Sequence, residues 1–283
     1  MAASGIGVYL VRFGPSRLSH EQGRNRPALK RRQGGPVKSP LITALTLSLG
    51  VVLSAVPGSA CSNASLTGGY GFRLIGTNTV GLAAVVGQIT ADGNGNLAGS
   101  ETVSSDGTIS ASVPVLGSYS IKSNCTGTAM LNPAGMSTAK YNLVIVSSGK
   151  RMEMIDVDTG ITESGYALAQ GSSPCTVASF KGVFGFDGGG FNSSLIPTAF
   201  SGQAKLDGAG NLSGSETASG GGAFTSGPIS GSYSVNSDCT GSLTGTFNNK
   251  TFHDYVVIVN GNQASLQIDT DAGQIVTGFA TKQ

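Results

Sequence analysis

The residues of this chain that could do chemistry are few and mostly acidic. Asp156 and Asp158 stand in IDVDTG (Ile155–Gly160), and Asp269 and Asp271 in IDTDAG (Ile268–Gly273). Two carboxylates, one from each half of a duplicated chain, can share a proton and activate water. The second copy, however, has Ala272 where the first has Thr159, and each motif lies too near the end of its repeat for a covering flap to follow. These aspartates therefore read as turn residues, with a weak cation or polar site at Asp156, Asp158, Asp269 and Asp271 as the sharper alternative. Glu101 and Glu216 are the other acids kept in both copies, each after a Gly-Ser on an expected strand. They join that candidate polar site, or else are solvated edge charges.

Asp92–Asn96 and Asp207–Asn211 repeat the pattern D-G-x-G-N. As a calcium loop it lacks the Gly at the sixth position and the acid at the twelfth. As a phosphate cradle it would need a helix after it, whereas a strand is expected. A Gly/Asn hairpin turn is the reading adopted. His253, beside Asp254, has no counterpart in the first copy, and strand neighbours point to opposite faces, so a surface histidine is expected rather than a relay. No catalytic residue, metal ligand or cofactor is assigned.

The elements that must position these residues come in two sets. GSYSIKSNCTG (Gly117–Gly127) returns as GSYSVNSDCTG (Gly231–Gly241), and GQITADGNGNLAGSET (Gly87–Thr102) as GQAKLDGAGNLSGSET (Gly202–Thr217). The duplication gives repeats over 61–170 and 175–283, joined by the small, polar AQGSSP (Ala169–Pro174). Four cysteines allow three pairings. Cys61 to Cys125 and Cys175 to Cys239 are both 64 residues apart, and equal spacing in duplicated units selects those two disulfides. A lipid anchor at Cys61 is the lesser alternative, because Gly58 stands where a bulky aliphatic is usual.

Residues 1–60 read as a leader. They hold eight Lys/Arg against one acid, a net of +7, and an apolar run over 41–56 that ends in Pro57 and small residues. This matches a secretory signal peptide, of ordinary proportions if translation begins near Val37. The remainder holds nine Lys/Arg against fourteen Asp/Glu, a net of −5. It has no basic patch for nucleic acid and no membrane span, and a monomer is expected.

Of the 44 glycines, 36 fall after residue 60, and short apolar alternations recur between Gly/Asn turns with no helical period. Each copy offers about eight strands in a meander. The expected fold is all-β, with two tandem homologous antiparallel domains, each a small eight-stranded barrel or alternatively a sandwich. Tyr70, Phe72, Leu74, Ile155 and Tyr166 are expected to point inward together. Phe184, Phe186, Ile268 and Phe279 match them in the second copy, with Gly188 replacing Leu74. Such rings would plug both barrels and leave recognition to the loops Ser104–Ser112 and Thr217–Ser226.

The motif GxYxVxxDCTG, with Thr/Ser-rich strands and a terminal G-[YF]-A, resembles a group of exported bacterial Gly-rich β-repeat proteins of unassigned function. The resemblance covers both copies and implies secretion, to the medium, the cell surface or the periplasm. It supplies no catalytic residues. Three readings of function remain. The leading one is a non-catalytic extracellular or surface module for adhesion or matrix, with an unknown surface partner. A calycin-like barrel holding a small apolar ligand is the second. An enzyme using the strand-borne acids Glu101/Glu216 and Asp156/Asp269 is the third.

Overall fold

The computed structural model describes residues 60–171 and 174–283. The leader and its apolar run over 41–56 lie outside the described residues. In the first copy the strands are β1 (Thr67–Thr77), β2 (Leu82–Asp92), β3 (Asn96–Ser105), β4 (Thr108–Ile121), β5 (Thr126–Pro133), β6 (Ala139–Val146), β7 (Arg151–Asp156) and β8 (Thr162–Ala169). The second copy has β9 (Gly182–Asn192), β10 (Pro197–Leu206), β11 (Asn211–Gly220), β12 (Ala223–Val235), β13 (Thr240–Phe247), β14 (Lys250–Val259), β15 (Ala264–Asp269) and β16 (Gln274–Lys282). Every neighbouring pair is antiparallel, and each set closes: Phe72 on β1 stands opposite Ala167 on β8, and Phe186 on β9 opposite Ala280 on β16. The sandwich alternative is excluded, because no strand edge is left free in either sheet.

The repeated GSYS…CTG motif fastens one end of each barrel. Cys61 is bonded to Cys125 and Cys175 to Cys239, and the described residues hold no free cysteine. With its sulfur in a disulfide, Cys61 has none left for a lipid thioether. The short 3-10 turns Asn63–Ser65 and Val177–Ser179 follow each first cysteine. Tyr119 donates its hydroxyl proton to the Leu66 carbonyl at 2.9 Å, and Tyr233 does the same to the Phe180 carbonyl at 2.9 Å. Disulfide and tyrosine together hold Leu66 and Phe180, 1% and 5% exposed, over the barrel end as stoppers.

Side-chain alternation then sorts the strands into inner and outer faces. Tyr70, Phe72 and Leu74 point inward as expected and are buried. Ile155 does not. It is 53% exposed, because on β7 the inward positions are Met152, Met154 and Asp156. Tyr166, Ile268 and Phe279 also lie on outer faces, where they border a cluster shared by the two barrels. With a period of two, taking Ile155 and Ile268 as inward placed every side chain of those strands on the wrong face.

The shared cluster joins the outer faces of β2 and β8 to those of β14, β15 and β16. Ala84, Val86 and Leu168 meet Val257, Val259, Leu266 and Ile268, all between 0% and 6% exposed. Gly71 permits the approach, since a β-carbon there would crowd the Val257 and Val259 methyls. Ser104 donates to the Gln274 carbonyl, Asn260 to the Ala169 carbonyl, and Gly273 to the Gly107 carbonyl. The two faces are not equivalent between copies. Where barrel 2 buries Leu266 and Ile268, barrel 1 exposes Glu153 and Ile155, and where barrel 1 buries Val86 and Thr102, barrel 2 exposes Ser201 and Thr217.

This asymmetry sets a direct test. Leu266→Glu installs the residue that barrel 1 carries at the matching exposed site, and burying that charge should cost about 3 kcal/mol or more. The reverse change, Glu153→Leu, lies in solvent and should stay within about 0.5 kcal/mol of the parent. Urea unfolding of both variants checks the pair. Equal stabilities would mean that the outer face of β15 is not packed against barrel 1.

Candidate functional site

The two barrels share a backbone plan and differ in what fills it. Barrel 1 is packed: Leu74, Ile89, Leu131, Met152 and Met154 all lie in its core, and the void between Leu66, Leu131 and Met152 is only about 10 Å3. The matching residues of barrel 2 are Gly188, Ala204, Gly245, Ser265 and Gln267. Barrel 2 accordingly holds a cavity of about 470 Å3. The expectation that both barrels would be plugged fails for this one.

Of the rings expected to plug it, Phe279 lies on the outer face, Phe184 packs at the closed end and Phe186 lies along the wall, where Phe200 and Phe252 join it. Phe186, Phe200 and Phe252 each stand directly across from a glycine on the neighbouring strand, Gly202, Gly188 and Gly245 respectively. At each glycine a β-carbon would overlap the facing ring. A ring laid over a cross-strand glycine occupies the space of the missing side chain and leaves the barrel axis clear. Barrel 1 has one such pair, Phe72 over Gly87, and fills its axis with Leu and Met.

The cavity is closed at its disulfide end and opens at the other. Phe180 packs on Phe184 at 4.8 Å between ring centres and on Tyr233 at 6.2 Å, sealing the floor above Leu206 and Leu212. At the opposite end the lining runs out to Ala223, Thr225, Asn248 and Lys250, which are exposed. Phe224 on the β11–β12 hairpin is 79% exposed, and Leu195 and Ile196 in the β9–β10 turn are 62% and 45% exposed.

Near this mouth the inward side chains turn acidic. Glu216 on β11, Asp254 on β14 and Asp269 on β15 all line the cavity. Loss of hydration raises Glu216 to about 6 and Asp269 to about 6, the latter with added repulsion from Asp271. Asp254 is pushed well above the usual carboxylate range by burial and by Asp269, Asp271 and Glu216. Barrel 1 carries the corresponding layer in sealed form. Glu101, Asp156 and Glu163 are 6–8% exposed, and Tyr141 fills the place taken by Asp254 in barrel 2. Burial and mutual repulsion hold Glu101 and Glu163 near 7 and raise Asp156.

The retained pairs Glu101/Asp156 and Glu216/Asp269 are thus brought inside their barrels. Asp254 and Glu163 escaped the sequence reading, although aligning Tyr141 with Asp254 and applying strand alternation would have placed Asp254 inward. Asp158 and Asp271 are turn residues. Each donates its amide to the aspartate two residues back, Asp156 at 2.7 Å and Asp269 at 2.8 Å. Asp158 accepts from the Lys140 amide and Asp271 meets the His253 ring at 2.7 Å, so each is engaged in its own barrel. The four aspartates of the candidate cation site therefore do not converge. Among the described residues no three Asp, Glu, His or Cys stand together as a metal site.

The D-G-x-G-N turns are self-contained. Asp92 accepts from the Asn96 side-chain amide at 2.6 Å and from the backbone amides of Asn94, Gly95 and Asn96 at 2.7–3.0 Å, and Asp207 from the Asn211 side-chain amide at 2.7 Å and the backbone amides of Ala209 and Asn211, which holds both carboxyls down at about 2. The loops Ser104–Ser112 and Thr217–Ser226 are instead strand hairpins with two-residue turns, at Asp106–Gly107 and Gly221–Gly222. Ser104 is buried against barrel 2.

No family model and no curated protein matches the chain. Among solved structures it is similar to the Myxococcus xanthus hemagglutinin in complex with a3,a6-mannopentaose, at 13% identity over 76% of this chain and 99% of that one, with a TM-score of 0.16. It is also similar to Burkholderia oklahomensis agglutinin, at 11% identity over 79% of this chain and 96% of that one, with a TM-score of 0.17. Likeness at these scores carries no argument about binding.

The buried acids make stability depend on pH with a definite sign. Between roughly pH 4 and 7 the native chain keeps protons that the unfolded chain has released, so stability falls as pH rises through that window. Asp92 and Asp207 act oppositely and lower down, their contribution being lost as pH falls from about 4 towards 2. Glu101→Gln and Glu163→Gln should each raise stability at pH 7.5 by on the order of 2 kcal/mol and flatten the decline above pH 5. Denaturant midpoints at pH 5 and 7.5 test this. A parent protein more stable at 7.5 would reverse the electrostatic account.

Proposed function

We propose that this chain is an exported, non-catalytic binding protein in which barrel 1 is a packed scaffold and barrel 2 takes up a small, mainly apolar molecule. The cavity of about 470 Å3 carries the reading. Pockets for small molecules usually fall between ~300 and ~1,000 Å3 and combine apolar walls with a few polar groups. Phe186, Phe200, Phe252, Leu212 and Ile229 supply the walls, and the acids of the mouth supply the polar groups. Export is supported by the two disulfides, which form in oxidising compartments, and by the signal-like run over 41–56. No helix among the described residues is long and apolar enough to cross a membrane. An adhesive surface module remains compatible with the same two barrels, but the cavity favours uptake of a ligand.

Filling the cavity is the test. Ser265→Met with Gln267→Met installs the Met152 and Met154 of barrel 1. It should abolish uptake of a small environment-sensitive apolar dye while leaving the melting temperature unchanged or higher. Dye binding that survives the double variant would place the apolar site elsewhere and end the cavity reading. A dye recovered unchanged after long incubation separates binding from turnover.

A further inference from the structure

We infer that the cavity of barrel 2 selects an organic cation, a molecule with an apolar body and a protonated amine at one end. The inference rests on the cavity reading and adds the chemistry of the head group. Glu216, Asp254 and Asp269 come from three different strands and project into one space at the mouth. Among the described residues, neither the Glu216 nor the Asp254 side chain has a hydrogen-bond partner, and Asp269 accepts only the Asp271 amide. Most of their acceptor capacity is therefore unused. The surface that Asp254 leaves uncovered is cavity surface, since this residue lies on the inner face of β14.

Carboxyls stripped of water and given no donor are costly, and a cation brought in by the ligand would satisfy them. The basic groups nearby do not serve. Lys250 is exposed at the rim, and His253 sits on the outer face, paired with Asp271. An anionic head would meet three carboxyls, while the one basic residue of the lining, Lys250, stands away from them at the exposed rim. Comparison with barrel 1 sharpens the point. There the acid layer lies beneath Tyr141 and Met154, which close it off. Barrel 2 has Asp254 and Gln267 in their places and Val276 in place of Glu163, so it keeps three carboxyls and opens them to the cavity. Below the acids the lining is Leu206, Leu212, Ile229, Val256 and Ile258, which suits an alkyl or ring body.

Three ligands of equal chain length decide it. Decylamine, decanol and decanoate are titrated at pH 7.5 into the full chain by displacement of the dye. Hydrogen bonds to charged groups contribute roughly 1.5–3 kcal/mol, so decylamine should bind at least about tenfold more tightly than the other two. In the variant Glu216→Gln/Asp254→Asn/Asp269→Asn the amine-to-alcohol affinity ratio should fall to about one. If amine and alcohol bind the parent equally, or decanoate binds best, the cation is overturned and the cavity stands. If none of the three binds and the dye is not taken up, the cavity reading falls with it.

Discussion

An antiparallel barrel of eight strands encloses a volume set by strand number and stagger, and inward side chains must fill that volume or leave it open. Both halves of this protein obey the same backbone constraint and answer it differently. Barrel 1 uses Leu74, Leu131, Met152 and Met154 to reach the axis. Barrel 2 spends its largest side chains on cross-strand glycines, so that three phenylalanines reinforce the wall without crossing the lumen. A void of this size would forfeit dispersion contacts throughout its lining. Ring-on-glycine pairing, the aromatic floor at Phe180 and Tyr233, and the disulfide behind it are what hold the sheet in shape around the space.

The same disulfide-and-tyrosine device explains why the GSYS…CTG stretch occurs twice. A barrel needs a stopper at an end where no long loop covers it. The residues after Cys61 and Cys175 supply one, held by Tyr119 and Tyr233 from the middle of each repeat. Because both barrels carry the stopper at the disulfide end, the acid layer in each lies towards the other end. In barrel 1 that layer is buried under Tyr141. In barrel 2 it lines a mouth.

Contact between the barrels is heterologous: β14–β16 of the second pack on β2 and β8 of the first. A contact of this kind can in principle repeat without closing. The free faces prevent it here. Glu153, paired with Arg151 at 2.6 Å, stands where Leu266 would continue the apolar surface, and Ser201 and Thr217 stand where Val86 and Thr102 would receive it. Two copies are therefore a complete unit for this interface.

The sequence by itself determined the duplication, the cysteine pairing, about eight strands per copy and the all-β class, while closure into barrels rather than sandwiches was decided by the tertiary structure. The former all follow from local pattern: equal spacing, period-two alternation and Gly/Asn turns, together with the identity of the two GSYS…CTG stretches. Alternation alone could not say which set of β7 and β15 faces inward, since IDVD and IDTD offer apolar and acidic residues on opposite sides. Ile155 and Ile268 read as core, yet the closed sheet turns Asp156 and Asp269 inward and puts the isoleucines outside. Nor could composition tell a plugged barrel from a hollow one, because barrel 2 has the aromatics to fill its axis. Whether Phe200 and Phe252 cross the lumen or lie on its wall depends on which residue the closed register sets opposite them, and register is a property of the whole sheet.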